Sequence, residues 1–198
     1  MSIKVIAIFG TRPEAIKMAT LCHEINNAEG FDLKICVTGQ HREMLDQVLD
    51  LFDIVPDIDL DLMKKDQDLS DITSSILLKV KSVLIKHKPD LVLVHGDTTT
   101  TFASALAAFY QNIKVGHVEA GLRTYNMNAP YPEEFNRQIV SKVSELHFAP
   151  TEISRSNLIN EGHKIENIFV TGNTVIDSLF WILNRIDKSE NRKEDLIK

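Results

Sequence analysis

The stretch Ile3-Lys4-Val5-Ile6-Ala7-Ile8-Phe9-Gly10-Thr11-Arg12-Pro13-Glu14 decides the fold. Its apolar half has no helical period and reads as a strand buried on both faces, which a parallel sheet requires. Its second half is a helix start. Thr11 with Glu14 three residues later forms a capping box, and Pro13 falls just inside the helix, where a missing N–H costs nothing. Strand, glycine and capped helix in that order are the first step of a βα unit. The pattern then repeats. Apolar runs at 33–38, 91–95, 113–118, 146–149 and 167–171 alternate with segments whose apolar residues lie three or four apart. Met44, Leu45, Val48, Leu49 and Phe52 make one such stripe, and Ile72, Ile76, Val80, Val83 and Leu84 another. Strands alternating with helices predict parallel strands, right-handed crossovers and helices on both faces. Segment 56–70, rich in Asp and Lys, reads as a short edge strand followed by a mobile loop. Residues 1–186 are expected to form one Rossmann-like α/β domain, with 187–198 as a polar linker.

Composition narrows the function. At 198 residues, 43% of them hydrophobic and 25% charged, the chain can bury a substantial core without metals or disulfides. A formal charge of −6 argues against nucleic acid or an anionic membrane as the main partner. Cys22 and Cys36 stand far apart in apolar surroundings and read as buried, reduced thiols. The first apolar run breaks at Gly10, too early for a signal peptide or a membrane span, so the cytoplasm is the expected compartment.

Four stretches combine charge with glycine or proline: Gly10 to Glu14, His95-Gly96-Asp97-Thr98, Gly116-His117-Val118-Glu119-Ala120-Gly121, and Pro130-Tyr131-Pro132-Glu133-Glu134. The first three follow strands, and the carboxyl ends of parallel strands converge on one ligand crevice. Arg12 and Lys17 sit at a helix N-terminus, a natural anion site. Asp97 fits a catalytic role and the N-cap of the following Thr-rich helix about equally well. Glu119, among Val118, Ala120 and Gly121, is a carboxylate in apolar surroundings, suited to acid–base work unless Arg123 pairs with it. Glu133 opens a helix behind two prolines, where acids are favoured for capping alone. His95 with Asp97, and His117 with Glu119, are each two apart. Residues at that spacing share a strand face, so the four could instead ligate zinc or manganese in a metal-dependent hydrolase. A non-catalytic sugar-nucleotide-binding domain is the third reading.

Taken jointly, Gly10-Thr11-Arg12-Pro13-Glu14-Ala15-Ile16-Lys17-Met18, Gln40-His41-Arg42-Glu43-Met44-Leu45-Asp46-Gln47, Val94-His95-Gly96-Asp97, Gly116 to Arg123, Pro132-Glu133-Glu134 and Gly172-Asn173-Thr174-Val175-Ile176-Asp177 closely resemble the non-hydrolysing UDP-N-acetylglucosamine 2-epimerases. The resemblance runs to about Trp181. It implies the N-terminal half of a glycosyltransferase-B type fold, with a UDP-sugar in the cleft between two Rossmann-like domains. By the same resemblance Asp97, Glu119 and Glu133 are the catalytic carboxylates, Arg12 and Lys17 bind substrate, no cofactor or metal is used, and this domain forms a homodimer. The second domain, which in the family grips most of the UDP and adds a histidine, is not part of these 198 residues. Thr20 replaces a proline common in the family, a neutral change. Glu43 and Asp66 stand where some bacterial members, regulated by a second UDP-N-acetylglucosamine, carry glutamine and arginine; two acids there would repel a diphosphate.

Overall fold

A computed structural model describes residues 2–39, 42–63 and 66–187. The strands are β1 (Ile3–Phe9), β2 (Phe31–Val37), β3 (Ile58–Asp59), β4 (Leu91–His95), β5 (Lys114–Val118), β6 (Leu146–Ala149) and β7 (Ile168–Val170). The helices are α1 (Arg12–Asn27), α2 (Arg42–Leu51), α3 (Leu69–His87), α4 (Thr99–Tyr110), α5 (Glu133–Val143), α6 (Glu152–Asn160) and α7 (Thr174–Asp187). The strands form one parallel sheet in the order β3-β2-β1-β4-β5-β6-β7. This is the expected Rossmann-like α/β fold. The order reverses direction between β1 and β4, so their carboxyl ends open the switch-point crevice at which such sheets bind ligands.

Strand β1 shows why its sequence has no polar alternation. Val5, Ala7 and Phe9 face one side, against Met18, Ala19 and Cys22 of α1 and Leu45, Val48 and Leu49 of α2. Ile6 and Ile8 face the other, against Ile76 and Val80 of α3 and Ala103 and Ala107 of α4. Both faces are covered, so every side chain of the run's second half is apolar. Cys22 and Cys36 lie in these two separate clusters and are free. Burial above all pushes both thiols up to about 12.

Two expectations need adjustment. Met44 lies on the apolar stripe of α2 but is 41% exposed, because Leu45, Val48 and Leu49 take the buried face. The edge strand expected within 56–70 is only the pair Ile58–Asp59. Of the remaining expectations, Gln40 and nearly all of the linker segment 187–198 lie outside the described residues.

The C-terminal helix α7 docks on α1. Trp181 stacks on His23 with 5.5 Å between ring centres and packs against Phe52. Ser178 donates to the Ile16 carbonyl, and the hydroxyls of Ser178 and Thr20 are 3.3 Å apart. Thr20 thus serves the α1–α7 contact. No helix among the described residues is long and apolar enough to cross a membrane.

Candidate active site

The capping box forms as read: Thr11 Oγ1 accepts from Glu14 N–H, and Glu14 Oε2 accepts from the backbone N–H of Thr11 at 2.8 Å and of Gly10 at 3.0 Å. Glu14 does more than cap. Its Oε1 accepts from the hydroxyls of Thr98 at 2.6 Å and Thr101 at 3.0 Å. One buried carboxylate therefore ties the start of α1 to the start of α4. Gly10 is obligatory here, since a Cβ would overlap Thr38 Oγ1 and Thr100 Oγ1, which hydrogen-bond each other beside it.

On this frame α1 presents two cations. Arg12, in its first turn, is exposed and makes no hydrogen bond or ion pair among the described residues. Lys17, one turn on, is half-buried and places Nζ 2.5 Å from Glu119 Oε2. The sequence offered Arg123 as the partner of Glu119, and the structure corrects that. Glu119 has φ +64 and Gly121 φ +88, so the chain swings away after β5. Arg123 instead grips Glu161 through Nε at 2.7 Å and Nη2 at 2.8 Å, and also reaches Ser141. Glu119 is left to the rim. A glutamate with positive φ carries a backbone cost of about 1 kcal/mol or more, and such outliers gather at functional sites.

Asp97 is not the cap of α4. Thr98 takes that place, accepting from Thr101 N–H. The Asp97 carboxylate is released toward Arg137 of α5, whose Nη2 lies 2.7 Å from Oδ2. Asn136 of α5 donates to the Asp97 carbonyl at 2.9 Å. Desolvation raises the Asp97 pKa; Arg137 opposes this, while Glu119, Glu133 and Glu14 add to it. Those influences bring Asp97, Glu119 and Glu133 into one electrostatic neighbourhood. Glu133, half-buried, is the first residue of α5. Its neighbour Glu134 is structural: fully buried, it accepts from the backbone N–H of Thr124 and Tyr125 and from Gln138. Burial alone would raise the Glu134 pKa, but these donors outweigh it and the net shift is downward.

The metal reading does not fit this geometry. Gly96 with φ +68 and Glu119 with φ +64 leave the extended conformation, so the alternation argued from residues two apart ends at His95 and Val118. His117 is completely buried with Nε2 2.7 Å from the Gly96 carbonyl. Among the described residues no group of three or more His, Cys, Asp or Glu side chains is arranged to hold a metal.

All five residues singled out in the sequence thus stand at or beside the carboxyl edge, four on strand-exit loops or α1 and Glu133 at the head of α5. Arg137 and Asn136 were missed. The signal was present in Glu133, Asn136 and Arg137, whose i, i+3, i+4 spacing puts them on one helix face. Glu43 and Asp66 are both exposed. A cavity of about 560 Å³ lined by Lys114, Glu145, His147 and His163 opens at the opposite, amino edge and shares no residue with this cluster.

Fold and rim define a Rossmann-like domain with a mixed cationic and acidic site at its switch point. A family model described as UDP-N-acetylglucosamine 2-epimerase matches residues 23–197, and the chain belongs to that family. It is 58% identical over 193 residues to the UDP-N-acetylglucosamine 2-epimerase of Salmonella typhimurium, covering 98% of this chain and 51% of that protein. It superposes with a TM-score of 0.93 and 54% identity on the Neisseria meningitidis UDP-GlcNAc 2-epimerase bound to UDP-GlcNAc, covering 97% of this chain and 52% of that one. The Methanocaldococcus jannaschii UDP-GlcNAc 2-epimerase in complex with UDP-GlcNAc and UDP gives 0.88 at 37% identity, over 96% and 52%. The chain spans about half the length of the relatives it matches.

Proposed function

We propose that this chain supplies the acid–base half of a cleft that interconverts UDP-N-acetylglucosamine and UDP-N-acetylmannosamine, the other half coming from a second Rossmann-like domain. The observation that carries the reading is that Glu119 meets Lys17 and Asp97 meets Arg137 at the carboxyl edge of the sheet, with Glu133 close enough at the head of α5 to raise the Asp97 pKa. The C2 hydrogen of an amino sugar has no adjacent carbonyl, so direct deprotonation is prohibitively uphill. Breaking the C1–O bond first, with its electron pair leaving on UDP, builds oxocarbenium character that acidifies C2. One carboxylate then takes the C2 proton and gives 2-acetamidoglucal. Protonation at the opposite face and return of UDP to C1 yield the epimer. The scheme needs titrating groups near both faces and cations for the departing diphosphate. Asp97, Glu119 and Glu133 fill the first role, Arg12 and Lys17 the second. Neither a cofactor nor a metal enters any step.

Two further parts belong to this reading. The chain pairs as a homodimer through its helices; Leu78 and Ile85 of α3 and Phe109 and Tyr110 of α4 are each more than half exposed and offer an apolar face for it. Its two buried, free cysteines suit a reducing compartment, the cytoplasm.

The test is conversion of UDP-N-acetylglucosamine followed by NMR, in this chain alone and in a protein carrying both halves. The two-domain protein is expected to form the manno epimer. The chain alone, with one wall of the cleft and few holders for the diphosphate, is expected to be slower by roughly three decades or more. No conversion by the two-domain protein would overturn the proposal.

A further inference from the structure

His95 ends β4 and is 3% exposed. Both of its ring nitrogens are buried, and neither has a hydrogen-bond partner among the described residues. His117, on the adjacent strand but one register step from the Val118 that pairs with His95, is also buried but engages the Gly96 carbonyl through Nε2. Buried polar atoms are nearly always paired, and an orphan calls for a reason. Burial first, and the Lys17 charge second, hold the His95 ring neutral, its pKa down at about 3, against a weaker opposing influence of the residue's own backbone, and Nε2 is left without a hydrogen-bond partner among the described residues.

The nearest carboxylate is Glu119. His95 Nε2 lies 3.9 Å from Glu119 Oε2, just beyond hydrogen-bonding range, while the same oxygen is held by Lys17 at 2.5 Å. The His95 backbone is held, because its carbonyl lies within hydrogen-bonding reach of the Thr101 hydroxyl, whose single proton is shared between that carbonyl and Glu14. Glu119 is at the rim, its side chain 12% exposed, and is the partner able to move. A bound diphosphate competes with Glu119 for the three N–H donors of Lys17. A diphosphate that draws Lys17 outward leaves the Glu119 carboxylate without a donor in a largely desolvated place.

We propose that His95 is a positioning residue that takes over Glu119 when an anionic ligand draws Lys17 away, its Nε2–H replacing the ammonium as donor to the carboxylate. The proposal rests on reading Lys17 as a cation for the diphosphate and Glu119 as an acid–base group. The exchange has a chemical consequence. A carboxylate locked to an ammonium is a weak base, whereas one oriented by a neutral imidazole keeps its charge and its aim. The imidazole takes its place beside Glu119 only when the diphosphate has arrived.

Imidazole NMR of the 198-residue chain tests this without catalysis. In ligand-free Lys17→Met, a downfield His95 Nε2 proton protected from exchange is expected, absent from the ligand-free wild type and lost again in Lys17→Met/Glu119→Ala. Its absence from Lys17→Met would overturn the proposal. Adding UDP to the two-domain protein should bring up the same resonance. There, UDP that shifts Arg12 but leaves His95 unchanged overturns the proposal alone, whereas UDP that shifts neither Arg12 nor Lys17 overturns the functional reading beneath it. A stability readout separates positioning from support. His95→Leu, which removes the orphan nitrogens, should match or exceed the wild type in thermal stability while kcat of the two-domain protein falls about 10- to 100-fold at unchanged KM, and His95→Gln should recover most of it. Lost stability with kcat intact would overturn the proposal.

Discussion

Nη2 of Arg137 lies 2.7 Å from Oδ2 of Asp97, and Nε of the same guanidinium faces the buried Glu134 at 3.6 Å. One cation on α5 is shared between a carboxylate assigned to chemistry and one that holds a loop. Because it is shared and Asp97 is mostly desolvated, Arg137 does not bring the Asp97 pKa down to its ordinary value.

Titration of the Asp97 carboxyl by 13C NMR should therefore give a value above the usual 3.8. Arg137→Met should move it further up, and Glu14→Gln, which removes a nearby negative charge, should move it down. The linked stability has a definite sign. Between 3.8 and the raised value the folded chain holds a proton that the unfolded chain has released, so the Asp97 contribution falls as pH rises through that window. A titration at or below the ordinary value would contradict the assigned environment.

Buried histidines act in the opposite direction. His95 and His117 are lowered from 6.5 to about 3, mainly by desolvation. Between those values the unfolded chain binds protons that the folded chain refuses, so stability present above pH 6.5 is lost as pH falls. Each contributes about 2 kcal/mol of loss by pH 5, or about 4 kcal/mol for the pair. Urea unfolding at pH 7.5 and pH 5 measures it, and His95→Leu should roughly halve the dependence due to this pair.

Glu14 is a sharper test of the frame. Its carboxylate accepts four hydrogen bonds while only 2% exposed. Glu14→Ala leaves the buried Gly10 N–H and the part-buried Thr11 N–H without that acceptor and should cost about 2–4 kcal/mol in chemical unfolding. Glu14→Gln keeps one oxygen for those two donors, and the threonine hydroxyls can turn to accept from its amide. It should cost less than half as much. Equal losses would show that charge, rather than acceptor geometry, holds the two helix starts together.

Much of this was legible in the residues. Val5 to Phe9 showed a strand buried on both faces because five consecutive side chains offer no polar face, and Thr11 to Glu14 showed the helix start because capping is local. Arg12, Lys17, Asp97, Glu119 and Glu133 could be picked out because each is a charge placed where an apolar element ends or a helix begins. Their partners could not be read. Lys17 and Glu119 are 102 residues apart, and Glu119 turns to Lys17 rather than Arg123 because of backbone angles at residues 119 and 121 that no spacing rule supplies. The failed metal reading has the same origin, since alternation was carried past the point where Gly96 leaves the strand. Tertiary pairing of charges, unlike capping or strand burial, depends on how separate loops meet.

On the proposed mechanism, Glu119 exchanges a proton with C2 of the sugar. In the two-domain protein, in heavy water, deuterium should enter C2 of UDP-N-acetylglucosamine as the manno epimer appears. Glu119→Gln keeps the shape but not the titrating group, and should suppress that incorporation by about two to four decades. Deuterium incorporation at a near wild-type rate in Glu119→Gln would contradict the account and leave the Lys17–Glu119 pair as a structural contact.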